Sequence, residues 1–208
     1  MKNCEMLKEV CGWLCVLTLV LTFGVQANAA VIDPAEVSYT LDPSYPPYSG
    51  RPDDSGDDLA NGYINGVVDA LDLDNADWVE FIDGGAGITF DLGGVYDLES
   101  VKVGVFLAPG WGLPSPGSMD ISYSLDNVSY TTPVNLTGFQ ADPAPYAAVT
   151  AINEFSIAGN TAQYVKVFLH PQAAGNWFQI GEFEFAQVPE PASMLLLGTG
   201  LLAIRRRK

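Results

Sequence analysis

The chain has 208 residues, of which 48% are hydrophobic and 16% charged, and a formal net charge of −16. Between residues 30 and 187 three cations, Arg51, Lys102 and Lys166, stand against 22 Asp and Glu, a net charge of −19. The length allows one domain with a real hydrophobic core; the charge excludes nucleic acid as a partner, because phosphate binding needs basic clusters.

Residues 1–29 read as an export signal. Lys2 and Lys8 precede an apolar stretch from Val10 to Val25, and Ala27-Asn28-Ala29 is a small-x-small cleavage site. The mature chain is expected to begin at Ala30. All three cysteines, Cys4, Cys11 and Cys15, leave with this segment, and His170 is the only histidine. The body therefore has no disulfide, no thiolate nucleophile and no Cys/His zinc site. A His-assisted serine triad is equally unsupported. A metal there would be a hard cation held by oxygen.

The body, residues 30–187, opens with loops rich in Pro, Tyr and Asp. Asp53, Asp54, Asp57 and Asp58 form its densest acidic cluster. Such a cluster reads either as a solvated surface or as part of an oxygen-donor cation site. Tyr45, Tyr48 and Tyr63 lie in the same region; they either share a ligand surface or brace the loop around Pro46 and Pro47. Beyond it the hydrophobic pattern has period two. Ile88, Phe90 and Leu92 make one strand face, and Val101, Val103, Val105 and Leu107 another. Met119, Ile121 and Tyr123 follow, then Val165, Val167 and Leu169, then Phe183 and Phe185. Turns are expected at Gly84-Gly85, Gly93-Gly94, Ser115-Pro116-Gly117 and Asp126-Asn127, and a long loop or an irregular strand pair over 136–150. Many short strands with these punctuators predict an all-β sandwich or barrel.

Two tryptophans, Trp78 and Trp177, sit beside strand patterns and are expected to pack in the core. Trp111 lies in Pro109-Gly110-Trp111-Gly112-Leu113-Pro114, which is too rich in Gly and Pro for a strand. A loop tryptophan can stack on the apolar face of a sugar or fold over the end of the core. No pair among the 22 acids stands out as the carboxylate pair of a glycan-active hydrolase.

Several segments of the body, in order, resemble the discoidin, or coagulation factor 5/8 type C, group of galactose-binding-like domains. They are Asp57-Asp58-Leu59-Ala60-Asn61-Gly62, Asp77-Trp78-Val79-Glu80-Phe81, Ile88-Thr89-Phe90-Asp91-Leu92-Gly93 and Val101-Lys102-Val103. Then come 121–130, Gln163-Tyr164-Val165-Lys166-Val167 and 177–185. The resemblance implies an antiparallel jelly-roll β-sandwich whose loops at one end bind a ligand, often a sugar. It also implies a structural calcium between the early loop and the last strand, held here by Asp58, Asn61 and Glu182, with Glu184 the weaker candidate. By their loop positions, and not by the resemblance, Trp111, Tyr45, Tyr48 and Tyr63 are the candidate ligand-binding residues. Asn61 and Gln163 depart from the family, which commonly has Asp and Arg at these places.

The tail, 188–208, has three parts: Val188-Pro189-Glu190-Pro191, an apolar run over 192–204, and Arg205-Arg206-Arg207-Lys208. As a helix the run would span about 20 Å, short of the roughly 30 Å hydrocarbon core, and the terminal cations would hold the end on the cytoplasmic side. This arrangement resembles the PEP-CTERM sorting signal of Gram-negative bacteria. In that family the motif is recognised by exosortase, a membrane-embedded transpeptidase, and the tail is removed as the protein passes to the cell surface or extracellular matrix. The expectation is a non-catalytic exported protein that is anchored transiently in the inner membrane and binds a surface glycan or exopolysaccharide. The alternative is a structural biofilm protein acting through protein–protein contacts.

Overall fold

The computed structural model describes residues 29–49, 52–53, 56, 58–60, 78–82, 84–144 and 147–189. Residues 1–28 of the expected export signal, Asn61, Tyr63, and the tail from Glu190 onward lie outside the described residues.

Among the described residues there are eight strands, every pairing antiparallel: β1 (Ala30–Val31), β2 (Ser38–Leu41), β3 (Val79–Phe81), β4 (Ala86–Leu107), β5 (Pro116–Ser124), β6 (Val134–Leu136), β7 (Val149–Pro171) and β8 (Phe178–Gln187). The order is β1-β8-β4-β7-β5-β6, with β2 also beside β4 and β3 also beside β8. The first half of β4 pairs with β2 and the end of β7. Its second half pairs with β8 and the start of β7. The two long strands thus run through both layers of a sandwich and turn the corner together. The corner is marked by register shifts between Asp91 and Tyr96 and between Leu98 and Ser100, as bulges mark corners generally.

The alternating residues fill the space between the layers. Ile88, Phe90, Val101, Val103, Val105, Met119, Ile121, Val165, Val167, Ile180, Phe183 and Phe185 are all buried. Phe90 of one layer meets Phe183 and Phe185 of the other, with ring centroids at 4.9 and 5.1 Å. Each such side chain contributes about 1.5–3 kcal/mol by leaving water. A second, smaller cluster lies on the outer face of β3, β8 and β4, where Trp78, Phe106, Ala108 and Leu113 pack together.

Two of the expected turns are something else. Gly93-Gly94 makes no hairpin: β4 continues through it, and the glycines serve the corner. A side chain at Gly93 would meet the Glu36 carbonyl at 2.6 Å. Pro116-Gly117 already belongs to β5, at a bulge against β7. The turn at Asp126-Asn127 is present, with Asn127 in the left-handed region, and the long loop separates β6 from β7.

Candidate functional site

The connections at one end of the sandwich come together. β2 ends at Leu41 opposite Ile88, and the Asp42 N–H then donates to the Gly87 carbonyl at 2.8 Å. β3 ends at Phe81, paired with Phe178 at the start of β8. Phe106, near the end of β4, pairs with Gln179, and Pro116, at the start of β5, pairs with Pro171 at the end of β7. The loops 42–49, 108–115 and 172–177, with residues 82 and 84–85, therefore lie at the same end of the sheets.

Tyr48 and Trp177 meet there. Pro47 bridges to Phe81, and the Tyr48 N–H donates to the Glu80 carbonyl at 2.7 Å, which ties the first loop to β3. Trp177 directly precedes β8, the neighbour of β3. The two rings lie 5.4 Å apart, inclined by 35°, yet both stay open to solvent, at 36% and 38% exposure. Beneath them the buried Gln179 amide donates to the Glu80 carboxylate at 2.6 Å. Trp177 is thus a surface residue and not the core residue expected from its strand neighbour. Trp78, in contrast, is buried against Phe106.

Trp111 stands at this end on a separate, short platform. Pro109–Trp111 forms a 3-10 turn closed by Gly112 in the left-handed region, and Ala108 and Leu113 bond to each other across its base. Leu113 is buried and the Trp111 ring is 48% exposed. The Ser115 N–H donates to Asp142 at 2.6 Å, which fixes the platform to the long loop before β7. Tyr45 differs from Tyr48: its ring turns edge-on to Phe168 at 4.9 Å and braces the loop. Gly85, with φ of +111°, lets the chain turn into β4. A Cβ there would lie 2.3 Å from the Leu169 carbonyl oxygen.

The expected calcium residues occupy another place. The Phe183 N–H donates to the Leu59 carbonyl at 2.9 Å, so residues 58–60 lie against β8. Asp58 and Glu182, each one residue before a member of that bond, are both buried, at 4% and 2% exposure. Glu182 sits where β8 shifts register against Gly104 and Val105, and it lines a small hollow with Ile32, Val37 and Ala60. Asp53 is tied into the same region. It accepts from the Tyr39 hydroxyl at 2.6 Å, and that hydroxyl accepts from the Leu59 N–H. Burial, and then the Asp53 carboxylate, push the Tyr39 hydroxyl far above its ordinary range. Glu184 borders the same hollow but pairs with Lys102. Among the described residues no three His, Cys, Asp or Glu converge on one point, so two carboxylates with hydroxyl, amide or backbone oxygens are the donor set on offer.

The sorting region leaves from the opposite end. Val188 and Pro189 follow β8, whose ten residues cover roughly 30 Å. The Val188 N–H donates to the Asp97 carbonyl at 2.7 Å, and Ala30 pairs with Gln187. The expected start of the mature chain and the end of β8 thus lie side by side, away from the aromatic loops. Among the described residues no helix is long and apolar enough to cross a membrane.

Comparison with known proteins bears on both parts. Residues 187–208 match the PEP-CTERM protein-sorting motif, the C-terminal signal of exported proteins that is processed at the membrane. No curated protein matches the chain by sequence. Among solved structures, the chain is similar to CBM32-3 from a family 31 glycoside hydrolase of Clostridium perfringens, with a TM-score of 0.51 and 15% identity over 76% of this chain and 95% of that one. It is also similar to a family 89 glycoside hydrolase of Clostridium perfringens, with a TM-score of 0.51 and 14% identity over 76% of this chain but only 14% of the hydrolase. The chain therefore joins a body with the discoidin-like fold of CBM32 modules to a PEP-CTERM sorting motif.

Proposed function

We propose that the protein is a non-catalytic glycan-binding module that is exported and processed through its sorting motif. The observation that carries this reading is the Tyr48–Trp177 pair: two exposed rings from distant parts of the chain, held together on a backbone fixed by strand pairing. Burying such rings would be favourable, and a sugar's apolar face is a surface that can do so while its hydroxyls stay hydrated. Trp111, on its own rigid turn at the same end, offers a second stacking surface. The fold of carbohydrate-binding modules of family 32 supports the same reading.

In this account a structural calcium joins residues 58–60 to β8 through the Asp58 and Glu182 carboxylates, with Asn61 as a further oxygen donor. Two buried acids on hydrogen-bonded segments fit a hard cation, which would offset the cost of removing their charge from water. An exosortase-type transpeptidase is the processing partner, and the cell surface or extracellular matrix the destination. Val188 and Pro189, the start of the sorting motif, follow β8 at the end opposite the aromatic loops, so the motif begins away from the candidate binding surface. Affinity electrophoresis of residues 30–187 in gels containing exopolysaccharide of the producing organism tests the reading. Retardation supports it, and unchanged mobility of folded protein in every gel refutes it.

A further inference from the structure

We infer that the glycan bound at the loop end carries no anionic groups: uncharged and amino-bearing sugars are accepted, and uronates and sulfated sugars are rejected. This inference rests on the glycan-binding reading and adds the chemical class of its ligand. Recognition of a sugar carboxylate or sulfate calls for a cation at the site, usually an arginine fork or an ammonium group. The body has three Lys and Arg in all, and the two within the described residues are committed elsewhere. Lys102 lies mid-strand in β4 and is held by the Glu184 carboxylate. Lys166 stands on the outer face of β7, 4.4 Å above the Tyr130 ring. His170 is held by Asp120 at 2.8 Å. Arg51 lies outside the described residues and is followed in sequence by Asp53, Asp54, Asp57 and Asp58.

The charged side chains that the loop end presents among the described residues are acids, beside neutral groups such as the Gln172 and Asn176 amides. Asp42 is exposed beside the first loop, where it caps the Ser44 N–H at 2.9 Å, and Asp142 caps the Ser115 N–H. The body's charge of −19 adds a long-range field of the same sign. An anionic polymer approaching Tyr48 and Trp177 meets this field, and among the described residues no uncommitted Lys or Arg stands there to offset it. An amino-bearing polymer gains from it, and an uncharged one is indifferent.

The experiment is a glycan microarray probed with the 30–187 body at 0.01 M and 1 M salt. The Debye length is about 30 Å at the first concentration and 3 Å at the second. Galactose, glucosamine and galacturonate oligomers serve as matched probes among the neutral, amino and acidic glycans. The account expects binders among neutral and amino sugars only. Amino-sugar signals should fall severalfold at high salt, neutral ones should change less than about twofold, and acidic ones should stay at least about tenfold below their neutral counterparts at low salt. Ala174→Lys, which adds a cation on the exposed turn before Trp177, should raise the acidic signals and leave neutral ones unchanged. Acidic glycans bound as strongly as neutral ones at low salt, or lost on Arg51→Ala, would overturn the inference and leave glycan binding intact. If no array glycan and no exopolysaccharide is retained by folded protein, the glycan-binding reading fails, and this inference with it.

Discussion

Tyr48 and Trp177 face one another at 5.4 Å although one belongs to the loop after β2 and the other to the loop before β8. What joins them is β3, which pairs with Pro47 on one side and β8 on the other. The rings are thus placed by three hydrogen-bonded segments and not by packing between themselves. Replacing either ring should alter binding without unfolding the body.

Glu182 and Asp58 make the calcium proposal testable apart from any sugar. Binding only to the folded state stabilises it by about 2.7 kcal/mol at a hundredfold excess of calcium over Kd, roughly 5–10 °C in melting temperature for a body of this size. Chelator should lower the melting temperature of metal-loaded protein, and calcium should restore it better than magnesium. Glu182→Gln should remove most of that difference. An unchanged melting curve on protein verified to be metal-free would rule the site out.

How far the sequence could be read depended on whether neighbours along the chain set the outcome. The buried faces of β4, β5, β7 and β8 follow the period-two pattern because one side of each strand meets the other layer. Gly93-Gly94 was misleading because a corner and a hairpin both call for glycine, and only the partner strand decides between them. Trp177 was read as core because it adjoins a strand. Its ring partner, Tyr48, lies far off in sequence, so no local signal marks the pair. Trp111 was legible as a loop residue because Pro and Gly on both sides forbid a strand.

Acid sensitivity should appear at the hairpin after β5. The Asp126 carboxylate accepts the N–H groups of Ser129 and Val128 and the Ser124 hydroxyl, and these hold its pKa down at about 2. A folded pKa below the unfolded one gives stability that is present above about pH 4 and lost as pH falls towards 2. Asp120 works in the same direction, held low by the Asn135 amide and then by His170. Asp126→Ala should flatten part of the fall in melting temperature between pH 5 and 2. An equally steep fall in the variant would show that the turn contributes nothing to it.

Among the described glycines, Gly85 is the position least open to a side chain. Its φ of +111° strains any L side chain, and a methyl group would collide with the Leu169 carbonyl. Gly85→Ala should cost about 2–3 kcal/mol in urea denaturation, whereas Gly138→Ala, with open space around it, should cost less. Equal losses would mean that the β4–β7 contact relaxes freely.

Sorting can be followed by mass. Glu190→Ala, or deletion of residues 205–208, should leave precursor in the membrane fraction. Released wild-type protein should begin at Ala30 and lack residues 192–208. Intact tail on the released chain would show that this motif is not processed.

The central claim is that exposed aromatics at the loop end bind sugar. Calorimetric titration of the body with the strongest array glycan, compared with the Tyr48→Ala/Trp177→Ala variant, tests it most directly. Aromatic ring pairs contribute about 0.5–1.5 kcal/mol beyond area burial; taking each ring–sugar contact as of that order, two rings reach the 1.4 kcal/mol that corresponds to a tenfold change in Kd. The account predicts that affinity falls by about tenfold or more in the double variant while its melting temperature stays within about 2 °C of wild type. An unchanged Kd in a folded double variant would contradict it and move the binding surface away from this end of the sandwich.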